Sequence, residues 1–148
     1  MARRARCDSL PPAGVYHVTA RGVARQAISV DDHDRVRFVA LLNGARRKND
    51  WHLLAYCLMP NHFHLVVACA LERLSDGMHF LNFRYAQRFN ERHDRIGHLF
   101  QDRFGARAVE GDEHFENVCE YVLNNPVRAG LCKYPSDWPW SGCPALAD

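Results

Sequence analysis

The sequence predicts an α+β fold in which one antiparallel sheet is covered by helices. Three observations carry that expectation. Segments of period-two hydrophobicity alternate with segments of helical period, two strand-like runs meet at a tight Pro60-Asn61 turn, and a further helical segment follows the last strand signal. In chain order the signals run strand, helix, strand, strand, helix, strand, helix. The first six match the β-α-β-β-α-β plan of a ferredoxin-like sandwich, and the last is an additional C-terminal helix.

Each element has a local reason. Gly14-Val15-Tyr16-His17-Val18-Thr19-Ala20 alternates and is β-branched after a Pro11-Pro12 entry, which makes it the first strand. Val36, Phe38, Val39, Leu41 and Leu42 follow Asp31, Asp32 and Asp34 and precede Arg46, Arg47 and Lys48, so the charges complement the dipole of a helix that stops at Asn49-Asp50. Trp51 to Met59 and His62 to Val67 form a hairpin that turns at Met59 to Asn61. From Leu71 to His93, Leu74, Met78, Leu81, Tyr85 and Phe89 recur at three and four residues, and Arg84, Arg88 and Arg92 recur at four, giving one long helix an apolar and a basic face. Gly97 to Phe104 reads as a loop and Ala106 to Val109 as a short strand. Asp112 to about Asn124 reads as a helix halted by Pro126 and Gly130, and Trp138-Pro139-Trp140 is expected to pack on the body.

A chain of 148 residues, 47% hydrophobic and 24% charged, suits one domain over residues 1–148 and excludes a multidomain machine. No run approaches the roughly 20 apolar residues of a membrane span. The charged start, Met1 to Asp8, has no apolar stretch behind it to make a signal peptide, so a cytoplasmic protein without a membrane partner is expected. The six cysteines form no C-x-x-C pair and read as reduced thiols, mostly small core residues.

The net charge of +2 at first argues against a nucleic-acid partner. Its distribution argues otherwise. Residues 1–50 carry ten Lys/Arg against five Asp/Glu, whereas 51–148 carry nine against twelve. A second basic segment spans Arg84 to Arg107, and the acids Glu110, Asp112, Glu113, Glu116 and Glu120 follow without a base among them. The near-neutral sum averages two basic segments and one acidic one.

His62-Phe63-His64 is the first chemical constellation. Residues two apart on a strand share a face, so two imidazoles flank one spot and can hold a divalent metal, although a lone H-x-H is more often an ordinary pair of strand histidines. On the last helix Tyr121 and Asn125 are four apart and share a face, with His114 two turns earlier and Phe115, Val118 and Val122 forming the apolar stripe. A tyrosine phenol ordinarily titrates near 10, so its use as a nucleophile requires a base or a metal-polarised phosphate, and a lone helical tyrosine is more often core. Tyr85, also helical, is the strongest rival, ahead of Tyr16, Tyr56 and Tyr134.

Met59-Pro60-Asn61-His62-Phe63-His64-Leu65-Val66 resembles the His-hydrophobic-His motif of the single-tyrosine HUH transposases. Tyr121-Val122-Leu123-Asn124-Asn125-Pro126-Val127-Arg128-Ala129-Gly130-Leu131 resembles the tyrosine helix of their REP-associated branch. Tyr16 to Gly22, Gly97 to Phe104 and Asp137 to Ser141 extend the likeness in the family's order, over roughly residues 14 to 141.

The resemblance implies a ferredoxin-like sheet with the H-x-H on a central strand and the tyrosine helix against it. It implies His62 and His64 as metal ligands, Asn125 as a third ligand or metal-facing amide, Tyr121 as nucleophile and Mg²⁺ or Mn²⁺ as cofactor. It further implies single-stranded DNA with a hairpin as partner, cut and joined through a 5′-phosphotyrosine by a monomer or a homodimer. Arg21, Arg25, Arg84, Arg88, Arg92, Arg103 and Arg107 are candidate phosphate contacts, and Phe100 and Phe104 candidate stacking platforms for unpaired bases. The acidic run is expected to face solvent, or to tune the metal through Glu120. Two alternatives stay open: a domesticated hairpin-DNA-binding protein with little catalysis, and a metal nuclease that uses water, in which Tyr121 is core.

Overall fold

The computed structural model describes residues 10–144. The elements are β1 (Ala13–Arg21), α1 (Asp32–Lys48), β2 (His52–Leu58), β3 (His62–Ala70), α2 (Leu71–Arg92), β4 (Gly105–Val109), α3 (Asp112–Leu123), α4 (Asn125–Arg128) and β5 (Ser141–Gly142). Their first seven follow the expected succession. The sheet runs β4-β1-β3-β2-β5, and every neighbouring pair is antiparallel. β1 and β2 therefore point the same way with β3 between them, which makes β3 the middle strand.

Alternation along the strands sorts side chains to two faces. Tyr16 and Val18 from β1, with Phe63, Leu65 and Val67 from β3, meet Phe38 and Leu42 of α1 and Leu74, Met78, Leu81, Tyr85 and Phe89 of α2 in the larger core. Each such fully buried side chain contributes about 1.5–3 kcal/mol. The opposite face is thinner: Ala55, Cys57, Met59 and Val66 meet Val122 of α3, flanked by partly buried Phe115 and Val118. α1 starts where Asp31 caps it, accepting from the Asp34 N–H at 3.2 Å. α2 is pinned to Trp51, whose indole N–H donates to the Arg73 carbonyl at 2.9 Å.

Several expectations are corrected. The tyrosine helix ends at Leu123, and Pro126 stands in the first turn of α4, a position that needs no proline N–H, rather than halting the helix. Phe100 and Phe104 are 9% and 8% exposed and belong to the larger core, where Phe100 meets Phe63 edge-on at 5.8 Å, so they are not free to stack bases. Of the cysteines only Cys57 is buried; Cys69, Cys119, Cys132 and Cys143 are partly exposed free thiols, and Cys7 lies outside the described residues. β5 is an addition, anchored as the tryptophan tail packs: Leu58 N–H donates to the Trp140 carbonyl at 2.8 Å and Trp138 Nε1–H to the Leu58 carbonyl at 2.9 Å. Among the described residues no helix is long and apolar enough to cross a membrane.

Candidate active site

The middle strand sets the site. Because Phe63 enters the larger core, His62 and His64 face α3, and the register places Arg21 beside His62, and Thr19 and Cys57 on either side of His64. Tyr121 and Asn125 approach the same spot from α3 and α4. Together they line a groove of about 540 Å³ with Arg21, Thr19, Arg103 and Gly105. The Tyr121 and His64 rings stand edge to face with centroids 5.8 Å apart, and those of His62 and His64 are 5.1 Å apart.

The hydrogen bonds orient the imidazoles. Asn61 donates through Nδ2 to the Arg25 carbonyl at 3.4 Å, which turns its Oδ1 to His62 Nδ1 at 2.7 Å. His62 therefore donates from Nδ1 and keeps Nε2 as its unprotonated nitrogen. His64 Nδ1 lies 3.0 Å from His17 Nε2, so these two share a proton and the His64 Nε2 is left for another partner.

His17, His62 and His64 are all held below the ordinary imidazole range, which keeps the His62 and His64 pair neutral, as metal ligands must be. Burial comes first in each case. For His64 burial and then the charges of His62, His17, Arg128 and Arg21 push the value down to about 3. For His62 burial and then Arg21 lower the value against a hydrogen bond that Asn125 accepts from the protonated ring, and for His17 burial is joined by Arg107 and His114.

The donor set fits a divalent cation. Two neutral imidazoles and an amide are borderline ligands that suit Mn²⁺ better than Mg²⁺. Among the described residues no three of His, Cys, Asp and Glu are arranged to hold a metal. The Asn125 amide is at hand: it meets His62, yet its buried Nδ2 makes no hydrogen bond.

The other candidates are dispersed. Arg84 and Arg88 are exposed on α2, in the layer on the far side of the sheet, where Arg88 lines a separate cavity of about 420 Å³ with Arg37 and Asp34. Arg92, in the same layer, is committed to Asp31 at 2.7 Å and Asp34 at 2.8 Å. Arg107 lies beside His17 across β1 and β4, and Arg25 sits in the turn after β1, near Asn61. His114 accepts from the Glu110 N–H at 3.0 Å and does not line the groove. Glu110, Asp112, Glu113, Glu116 and Glu120 are all exposed, as expected of a solvated face.

Tyr121 is the tyrosine of the groove. Tyr85 is 1% exposed, with its hydroxyl donating to the Ile28 carbonyl, and Tyr16 is fully buried, donating to the Pro11 carbonyl at 2.6 Å. Two residues of the site escaped the sequence reading. His17 is signalled only by its place in the β1 alternation, two residues before Thr19. Arg128 follows Tyr121 by seven residues, a two-turn spacing that the break at Asn124 obscures; its guanidinium lies 4.1 Å from the Tyr121 ring centroid.

Comparison with known proteins gives a consistent picture. Residues 13–125 match the sequence model of the family described as Transposase IS200 like. The REP-associated tyrosine transposase of Escherichia coli K12 is 24% identical over 102 residues, 65% of this chain and 56% of that protein. A Haemophilus influenzae protein provisionally given the same name is 24% identical over 102 residues, 60% of this chain and 56% of that protein. The chain thus spans about half the length of the curated relatives it matches. A solved REP-associated tyrosine transposase bound to a REP hairpin shares the fold at a TM-score of 0.74 and 19% identity, covering 95% of this chain and 82% of that one.

Proposed function

Because the chain belongs to the IS200-like transposase family, we propose that it nicks single-stranded DNA beside a hairpin and rejoins strands through a 5′-phosphotyrosine on Tyr121. The observation that carries this reading is the single groove shared by His62, His64, Asn125 and Tyr121. A hairpin is the favoured substrate because the structural relative was solved on one.

The chain's own residues account for most of the chemistry. Arg21 and Arg103 in the groove bind backbone phosphates and hold the scissile one near the histidines. Tyr121 Oη attacks phosphorus in line with the departing oxygen: the Oη–P bond forms, the P–O3′ bond breaks, the phenol gives up its proton and the 3′-oxygen gains one. The products are a 5′-phosphotyrosine and a free 3′-OH. Since the phosphotyrosine conserves the energy of the phosphodiester, attack by a 3′-OH reverses the step and joins strands without a nucleotide cofactor. His62, His64 and Asn125 would hold a Mg²⁺ or Mn²⁺ ion, which when bound supplies Lewis-acid charge neutralisation at the phosphate.

The test is incubation with Mn²⁺ and a labelled single-stranded hairpin oligonucleotide, followed by denaturing electrophoresis. An SDS-stable protein–DNA adduct is expected, lost in Tyr121→Phe and retained in Tyr85→Phe. Cleavage without an adduct would replace this reading by a water-using nuclease. Tight binding without cleavage would replace it by a hairpin-binding protein.

A further inference from the structure

The last carbonyls of a helix have no intrahelical partner, and α3 ends two residues after Tyr121. The chain then turns at Asn124 and re-enters a helix at Asn125, which brings Arg128 back onto the tyrosine. Arg128 Nη2 donates to the Tyr121 carbonyl at 2.7 Å, while its guanidinium lies 4.1 Å from the centroid of the Tyr121 ring. One side chain therefore holds both the main chain and the ring of the same residue.

The ring needs such a hold. Tyr121 is 50% exposed, and its aromatic neighbours His17 and His64 meet it only edge to face, at 6.3 and 5.8 Å. Arg128 is not among the residues that line the groove with Tyr121, and its guanidinium reaches the ring from α4. We propose that Arg128 is a positioning residue that pins the Tyr121 phenol toward the His62–His64 pair, without itself belonging to the metal or DNA contacts.

This inference rests on Tyr121 being the nucleophile. The task suits arginine rather than lysine. A planar guanidinium stacks on a ring through its face and donates hydrogen bonds from its edge at the same time, whereas an ammonium is a point charge that serves one partner well. A pinned phenol holds the near-attack geometry, and a misplacement of about 1 Å costs about 100-fold in rate. The loss on removing Arg128 therefore falls on the rate of adduct formation and leaves hairpin affinity in place.

The unsubstituted chain, Arg128→Ala and Arg128→Lys are compared with a hairpin oligonucleotide and Mn²⁺. Three quantities are measured: hairpin Kd, the adduct rate at saturating DNA, and the ¹⁹F NMR line of Tyr121 in protein made with 3-fluorotyrosine. That line is identified by its absence in Tyr121→Phe. We expect Kd within about threefold throughout, an adduct rate lower by about 100-fold in Arg128→Ala and by at least about tenfold in Arg128→Lys, and a Tyr121 line that narrows and shifts in both. The lysine variant also covers the case in which the alanine variant does not fold. An unchanged rate, full restoration by lysine or an unmoved ¹⁹F line would overturn the proposal. Absence of any adduct with the unsubstituted chain strikes the proposed function instead, and the ¹⁹F line then still decides whether Arg128 holds the ring.

Discussion

Burial of His64 between His17 and His62 couples the site to the stability of the fold. Its value of about 3 arises from burial first and neighbouring positive charges second, whereas an unfolded imidazole titrates near 6.5. Below about pH 6.5 the unfolded chain takes up a proton that the folded chain refuses, so stability falls as pH drops from about 6.5 toward 3 and is untouched above. His17 and His62, also lowered, act in the same direction. Urea unfolding of the metal-free protein between pH 8 and 4 should therefore give midpoints that are flat above about pH 7 and fall below it. His64→Asn should flatten that fall; an unchanged slope would show that His64 is not the residue refusing the proton.

At the scale of elements, α2 is held by close packing that a single methyl would break. A Cβ on Gly77 would sit 2.2 Å from Cζ2 of the Trp51 ring. On an open helix Gly→Ala gains about 1 kcal/mol, but here the added carbon must displace an indole that is 4% exposed and tied by its N–H to Arg73. Overpacking of this kind costs about 1–3 kcal/mol, so Gly77→Ala should lower the urea midpoint rather than raise it. The same helix illustrates what the sequence discloses. Its period was legible because Leu74, Met78, Leu81, Tyr85 and Phe89 repeat at helical spacing, and all are buried. The basic stripe of Arg84, Arg88 and Arg92 was equally legible, but the side of the sheet it would cover was not, because that depends on how the elements stack. β5 is two residues long and shows no period. The H-x-H and Tyr121 could be read locally, whereas His17 enters the site through strand register, and Arg128 through a helix break that looks like a stop.

For the molecule as a whole, charge is divided by the sheet. Arg21 and Arg103 line the groove, with Arg107 facing the same side beside His17, whereas Arg84, Arg88 and Arg92 belong to the opposite layer and the exposed acids of α3 border the tyrosine. A net charge of +2 therefore describes neither side. Each phosphate neutralised contributes a slope of about −0.7 on single-stranded DNA and about −0.9 on duplex in a plot of log K against log salt. The two groove arginines alone, and the same two with contacts from Arg25 in the turn after β1 and Arg107 on β4, bound an expected slope between about −1.5 and −3.5 for a hairpin with a single-stranded flank. Arg21→Ala and Arg103→Ala should each make it shallower by a little under one, and Arg84→Ala and Arg88→Ala should leave it unchanged. Titrations of a labelled hairpin at several salt concentrations measure all five proteins alike. If the α2 variants moved the slope as much as the groove variants, DNA would have to reach both faces of the sheet, and the groove would no longer account for binding.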